Sequence, residues 1–216
     1  MNGLSTSTRN HHMMKVLRVS REAVEEAAEV VKNGGLVVYP TDTVYGLGCN
    51  PFDKDAVRRL INAKKRRGKP LPIAVPSLEA AERVARFNDA ARRIAEAFWP
   101  GAVTIVLECT AQLPREVTAG TGRVGVRVPG HEWAVLLAEL SGGFIVSTSA
   151  NISGMDPPRT VWDALKQVGP HVDLALDGGE APLSRPSTVV DLTSGRPVVL
   201  REGPVSLGEL LEALDG

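Results

Sequence analysis

The sequence predicts an α/β domain, one twisted, open, mixed β-sheet with flanking helices. Three observations carry that expectation. Segments of helical and strand periodicity alternate along nearly the whole chain. The 216 residues, 43% hydrophobic and 23% charged, suffice for one substantial core. No internal repeat or low-complexity stretch divides the chain. The polar run MNGLSTSTRNHHMM sets residues 1–14 apart as a disordered N-terminal segment and leaves 15–216 as a single domain.

The first helix is expected over 20–32, where Val24, Ala27, Ala28 and Val31 recur at helical spacing behind a Ser cap, and Asn33-Gly34-Gly35 stops the pattern. A strand over 36–39 follows. The alternation continues with a helix from 53 to about 64, a strand over 71–75, helices over 77–87 and 88–98, and the apolar run 103–107. Residues 124–128 alternate as a strand, 131–140 read as a helix, 144–146 as a buried strand and 160–168 as another helix. Shorter strands at 174–176, 188–192 and 198–200 precede a last helix that opens with the capping box Ser206-Leu207-Gly208-Glu209.

Composition removes several function classes. No apolar run approaches the roughly 20 residues of a membrane helix, and the N-terminus lacks the apolar centre of a signal peptide, so a cytosolic location and no membrane contact are expected. Cys49 and Cys109 lie far apart in apolar company, and His11, His12, His131 and His171 form no ligand spacing, so neither a disulfide framework nor a dedicated metal site is expected. The formal net charge is zero, yet five of the six residues Lys64 to Lys69 are basic, which concentrates positive charge as at a phosphate site.

Four segments carry chemistry. Tyr39-Pro40-Thr41-Asp42-Thr43-Val44-Tyr45-Gly46-Leu47-Gly48 leaves a buried strand and sets two hydroxyls, a carboxylate and two glycines in a connection. Such places suit ligands, although a turn bonded to its own backbone reads equally well. In Lys64-Lys65-Arg66-Arg67-Gly68-Lys69 the arginines offer planar forks and the lysines point charges, more than a helix C-terminus needs; a solvated basic face is the alternative. Ser147-Thr148-Ser149-Ala150-Asn151 follows a buried strand with small hydroxyls and an amide that can donate and accept. Ser187-Thr188 and the lone Arg201 sit on two further strand-like pieces, where Arg201 contacts a ligand or snorkels at the sheet rim. Gly120-Thr121-Gly122-Arg123-Val124-Gly125 matches a dinucleotide pattern but leads into a strand, and no Gly-x-x-x-x-Gly-Lys-Ser/Thr loop occurs, so bound ATP would be held by side-chain cations.

Together PTDTVYGLGCNPFD (40–53), Lys64-x-Arg66, FWPG (98–101), VRVPGH (126–131), STSANISG (147–154), PSTVVDL (186–192) and LREG (200–203) closely resemble the YrdC-like threonylcarbamoyl-adenylate synthase family, in order from about residue 20 to 203. The resemblance implies a twisted α/β sheet with a concave, positively charged cavity, and synthesis of threonylcarbamoyl-AMP and pyrophosphate from L-threonine, bicarbonate and ATP, for modification of adenosine in tRNA. It implies Lys64 and Arg66 as catalytic residues, Arg66, Lys69, Asn151, Arg159 and Arg201 around ATP, and Thr43, Arg127, Ser149 and Ser187 around threonine. ATP would arrive with Mg²⁺ as substrate, with no permanently bound cofactor. The implied partners are tRNA threonylcarbamoyl-transferase proteins and double-stranded RNA or tRNA. A double-stranded RNA or tRNA-binding module without catalysis, and a relative acting on another carbamoyl compound, are the alternatives. The chain departs from the family pattern in a shorter loop before Pro70-Leu71, which bears on Lys69, and in Ala74-Val75 where some relatives carry a histidine.

Overall fold

In the computed structural model, which describes residues 14–215, the strands divide between two mixed sheets where the sequence suggested one. The order is β1 (Lys15–Arg18), α1 (Arg21–Lys32), β2 (Val37–Tyr39), β3 (Gly46–Gly48), α2 (Lys54–Ala63), β4 (Ile73–Ala74), α3 (Leu78–Glu82), α4 (Asp89–Phe98), β5 (Val103–Glu108), α5 (Arg115–Thr118), β6 (Arg123–Arg127), α6 (Glu132–Leu140), β7 (Ile145–Val146), β8 (Thr148–Ser149), α7 (Val161–Val168), β9 (Leu174–Asp177), β10 (Thr188–Asp191), β11 (Val198–Arg201) and α8 (Leu207–Asp215). One sheet runs β1-β9-β2-β3-β8 and the other β11-β10-β5-β6-β4-β7. Parallel and antiparallel neighbours occur in both, as β2 beside β9 and β3, or β6 beside β4 and β5. The N-terminal segment 1–14 lies outside the described residues except for Met14.

Helices begin where polar caps stand in the sequence. Ser20, Asp53, Ser77, Asn88 and Thr160 each accept a hydrogen bond from a backbone N–H in the first turn of α1, α2, α3, α4 and α7. At the last helix Glu209 Oε2 accepts from the Ser206 N–H at 2.8 Å, and the Glu209 N–H donates back to Ser206 Oγ at 3.3 Å, closing the capping box. The helix expected over 77–87 is cut short at Glu82. Beyond it Ala85 bridges Cys109, with Arg86 N–H donating to Glu108 O at 2.9 Å, so pairing with the end of β5 captures backbone that a longer helix would have kept.

The two sheets meet where the chain crosses from one to the other. Val146 N–H donates to Cys49 O at 2.9 Å and Ser147 N–H to Pro72 O at 2.8 Å, so β7 closes the second sheet and β8, two residues on, opens the pairing to β3 in the first. Two apolar clusters fill the space on either side. One gathers α2, α4, β5 and β6 around Leu60, Ile94, Ile105 and Val126. The other packs α1 and α6 on β2, β4 and β9 through Val24, Leu137, Tyr39, Ala74 and Leu174. Cys49 and Cys109 are free, and burial raises both thiols. No helix among the described residues is long and apolar enough to cross a membrane.

Candidate active site

At this junction lies an open cleft. Six of the ten expected site residues line it: Thr43, Arg66, Arg127, Ser149, Ser187 and Arg201. They come from the loop between β2 and β3, the segment after α2, the end of β6, β8, the residue preceding β10 and the end of β11. The lining holds three arginines and no carboxylate, beside the small hydroxyls of Thr41, Thr104, Ser147 and Thr148. Thr104 escapes sequence reasoning because it stands as one hydroxyl within an apolar strand. Period-two alternation, which turns it away from Val103 and Ile105, is the signal that could have found it.

Arg127 is 5% exposed, and its hydrogen bonds are long: 3.5 Å from Nη1 to Gly101 O and 3.4 Å from Nη2 to Thr43 Oγ1. A guanidinium has five N–H donors in a fork, so this one keeps capacity for a planar anion. Ser187 is tied more firmly. Its hydroxyl lies 2.8 Å from Thr104 Oγ1, while Arg201 donates to its carbonyl from Nε at 3.0 Å and Nη2 at 2.8 Å. Arg66 folds back so that Nη2 donates to Pro70 O at 2.6 Å. Desolvation lowers the pKa of Arg66, and the pKa of Arg201 is lowered by desolvation and then by the charges of Arg127 and Arg66. The charges of Arg127 and Arg66 thus disfavour that of Arg201, a repulsion that an incoming anion relieves.

Lys64 stands behind the cleft rather than in it. It is 1% exposed, and Nζ donates to the carbonyl oxygens of Ser149 and of Asn151, the latter at 2.8 Å. Ser153 N–H returns a bond to Lys64 O at 2.8 Å, so side chain and backbone together grip the Ser-x-Asn turn. Burial, and then the charge of Arg66, pull the Lys64 pKa down to about 7. The folded pKa therefore lies below the unfolded value of about 10.4. The unfolded state binds more protons between these limits, so the Lys64 contribution makes stability rise as pH increases from about 7 toward 10. Urea denaturation of the wild type minus that of Lys64→Met should show this rising difference across that window; a flat difference would contradict it.

The remaining expected residues stand off the lining. Asn151 is 6% exposed; its amide donates to Ile152 O at 3.1 Å and Met155 O at 2.7 Å, and its Oδ1 is buried without a partner. Lys69 lines an adjacent basic pocket that shares Arg66 with the cleft. Arg159 pairs with Glu180 on the surface. Ala74 is buried in the α1/α6 cluster and presents no polar group. Among the described residues no group of three or more His, Cys, Asp or Glu side chains is arranged to hold a metal ion.

The model of the Sua5/YciO/YrdC family, described as Telomere recombination, matches residues 29–203. A Threonylcarbamoyl-AMP synthase of Pyrococcus abyssi is 40% identical over 204 residues, which are 91% of this chain and 60% of that one. A Threonylcarbamoyl-AMP synthase of Halorhodospira halophila is 38% identical over 174 residues, 80% of this chain and 91% of that one. The crystal structure of P. abyssi Sua5 complexed with L-threonine superimposes with a TM-score of 0.87 at 38% identity, covering 94% of this chain and 60% of that one. The chain thus spans about three fifths of the length of its P. abyssi relative.

Proposed function

The chain belongs to the Sua5/YciO/YrdC family, and from that premise we propose that it is a threonylcarbamoyl-AMP synthase with 15–216 as its single catalytic domain. The observation that carries the reading is the convergence of Arg66, Arg127 and Arg201 with the hydroxyls of Thr43, Ser149 and Ser187 in one cleft free of lining carboxylates. Such a site suits an amino acid and a nucleotide held side by side. The L-threonine complex of the P. abyssi relative supports the same choice of substrate.

In this reading Arg127 takes the carboxylate of threonine, and the three hydroxyls orient its polar groups. Arg66 and Arg201 hold the phosphates of ATP, with Lys69 approaching from the adjacent pocket and Asn151 and Arg159 at the edge. The threonine amine attacks the carbon of bicarbonate and water leaves, giving a carbamate. A carbamate oxygen then attacks the α-phosphorus of ATP, the bond to the β-phosphate oxygen breaks, and pyrophosphate departs as the mixed anhydride forms. Mg²⁺ enters with ATP as part of the substrate. No step needs a protein nucleophile; alignment of the two reactants and neutralisation of the phosphates supply the acceleration. Lys64 contributes by holding the Ser149–Asn151 turn. ATP, threonine and the tRNA that receives the product belong to the cytosol, which is the proposed location, and tRNA with its transferase proteins are the proposed partners.

Purified protein should release pyrophosphate and form an AMP-linked product only when ATP, Mg²⁺, L-threonine and bicarbonate are all present. Equal turnover with threonine omitted would rule the proposal out, and binding of double-stranded RNA without any pyrophosphate release would favour the binding module.

A further inference from the structure

Three motif residues left without a role in the reaction gather beside a single guanidinium. Asp42 of PTDT and Gly101 of FWPG contact Arg127, and Gly130 of VRVPGH packs against both Asp42 and Gly101. Asp42 Oδ1 stands 3.3 Å from Arg127 Nη2, with the two side chains 10% and 6% exposed. That oxygen nevertheless has no hydrogen-bond partner. Gly130 makes room for the carboxylate, since a Cβ there would come within 3.1 Å of Asp42 Oδ2 and 3.3 Å of the Gly101 Cα. The Asp42 backbone carbonyl is also fixed, accepting from the Leu183 N–H at 3.2 Å. A buried carboxylate is thus held close to the arginine without occupying its N–H directions. It acts through its field and leaves the donors to a ligand.

We propose that Asp42 is a charge-balancing positioning residue that reserves Arg127 for a net-neutral amino acid against the multiply charged anions drawn to the same cleft. The inference rests on Arg127 being the seat of the amino-acid carboxylate. Arg66 and Arg201 share the cleft, so phosphates are attracted to within reach of Arg127. The interaction energy with one buried charge scales with the net charge it acts on. A zwitterion loses attraction at its carboxylate and regains part of it at its ammonium, whereas a dianion loses on both charges. The Asp42 field therefore penalises sulfate, phosphate or pyrophosphate at Arg127 far more than it penalises threonine.

The test uses Asp42→Asn, which keeps the shape and removes the charge, and inorganic sulfate as the dianion probe, with threonine binding followed by calorimetry in the absence of ATP. Sulfate should compete with threonine about tenfold more strongly in the variant, while threonine affinity without sulfate stays within about threefold of the wild type. Equal sulfate competition in the two proteins would overturn the proposal. So would a large loss of threonine affinity in the variant, which would make Asp42 an orienting group only. Melting with and without sulfate gives a second reading that needs neither threonine nor turnover: ligand linkage should raise the Tm of Asp42→Asn more than that of the wild type. A variant that sulfate fails to stabilise, or that stays unfolded in sulfate, would also refute it. If wild-type protein does not bind threonine, the functional reading fails on its own, and the sulfate melts still decide the role of Asp42.

Discussion

Arg127→Met should lower kcat/KM for threonine by about thirtyfold to several thousandfold, the equivalent of the roughly 2–5 kcal/mol lost when a buried, hydrogen-bonded charge is truncated. Methionine keeps much of the volume of the stem, so the loss reports the fork and not a cavity. The same substitution leaves Asp42, whose side chain is 10% exposed, without its counter-charge. Breaking a buried pair from one side costs about 3–5 kcal/mol, so the variant should also be less stable to urea. The two effects separate in the double variant Arg127→Met with Asp42→Asn, in which no lone buried charge remains. Stability should largely return while threonine turnover does not. If folded Arg127→Met binds threonine within about threefold of wild type, Arg127 is not the carboxylate seat.

That test turns on a residue legible in the sequence, and much around it was legible for the same physical reason. Local rules act within a few residues. Ser20, Asp53, Ser77, Asn88 and Thr160 announce helices because a cap satisfies N–H groups only two or three positions away. The buried strands β2, β5 and β7 announce themselves as apolar runs. Features made by distant pairing were silent. β3 and β8 read as loops because Gly46–Gly48 and Thr148–Ser149 have no apolar period; they become strands only by pairing with each other and with β2. β1 likewise depends on β9, far along the chain. The division into two sheets follows from such pairings, so no periodicity could reveal it.

The basic cluster shows the same limit within the site. Five cations in six residues read as one exposed face, and Lys65, Arg67 and Lys69 are indeed exposed. Lys64 is turned inward because carbonyls of the Ser-x-Asn turn, 85 and 87 residues away, accept its ammonium. Arg159 shows the same limit on the surface, where Glu180 on another loop pairs with it. Asp42 stood inside a recognised motif, yet its relation to Arg127 needs the fold of β6 beside the β2–β3 loop.

Gly203→Ala should weaken both the fold and the site, because the last glycine of LREG is where two backbones touch. A Cβ at this position would lie 2.2 Å from Thr188 N, 2.5 Å from Ser187 C and 2.7 Å from Pro186 O. All three are main-chain atoms, so no flexible side-chain end can give way. Thr188 N–H is also bonded to Ala102 O at 2.9 Å, and Thr188 Oγ1 donates to Val205 O at 2.7 Å, which holds the start of β10 from both sides. Relief must therefore come from shifting Ser187, the residue that Arg201 and Thr104 fix in the cleft. Overpacking of this kind costs about 1–3 kcal/mol. For a chain of this length that is a fall in Tm of roughly 2–12 °C. Displacing a seated hydroxyl and its arginine by even part of an ångström should lower kcat by on the order of tenfold to a hundredfold. Gly208→Ala is the matched control. A Cβ there meets only Ser206 Oγ at 3.8 Å, and alanine favours the helix, so stability should hold or rise by up to about 1 kcal/mol with activity unchanged. If Gly203→Ala melts and turns over like Gly208→Ala, the contact between LREG and the Ser187 strand does not position the site.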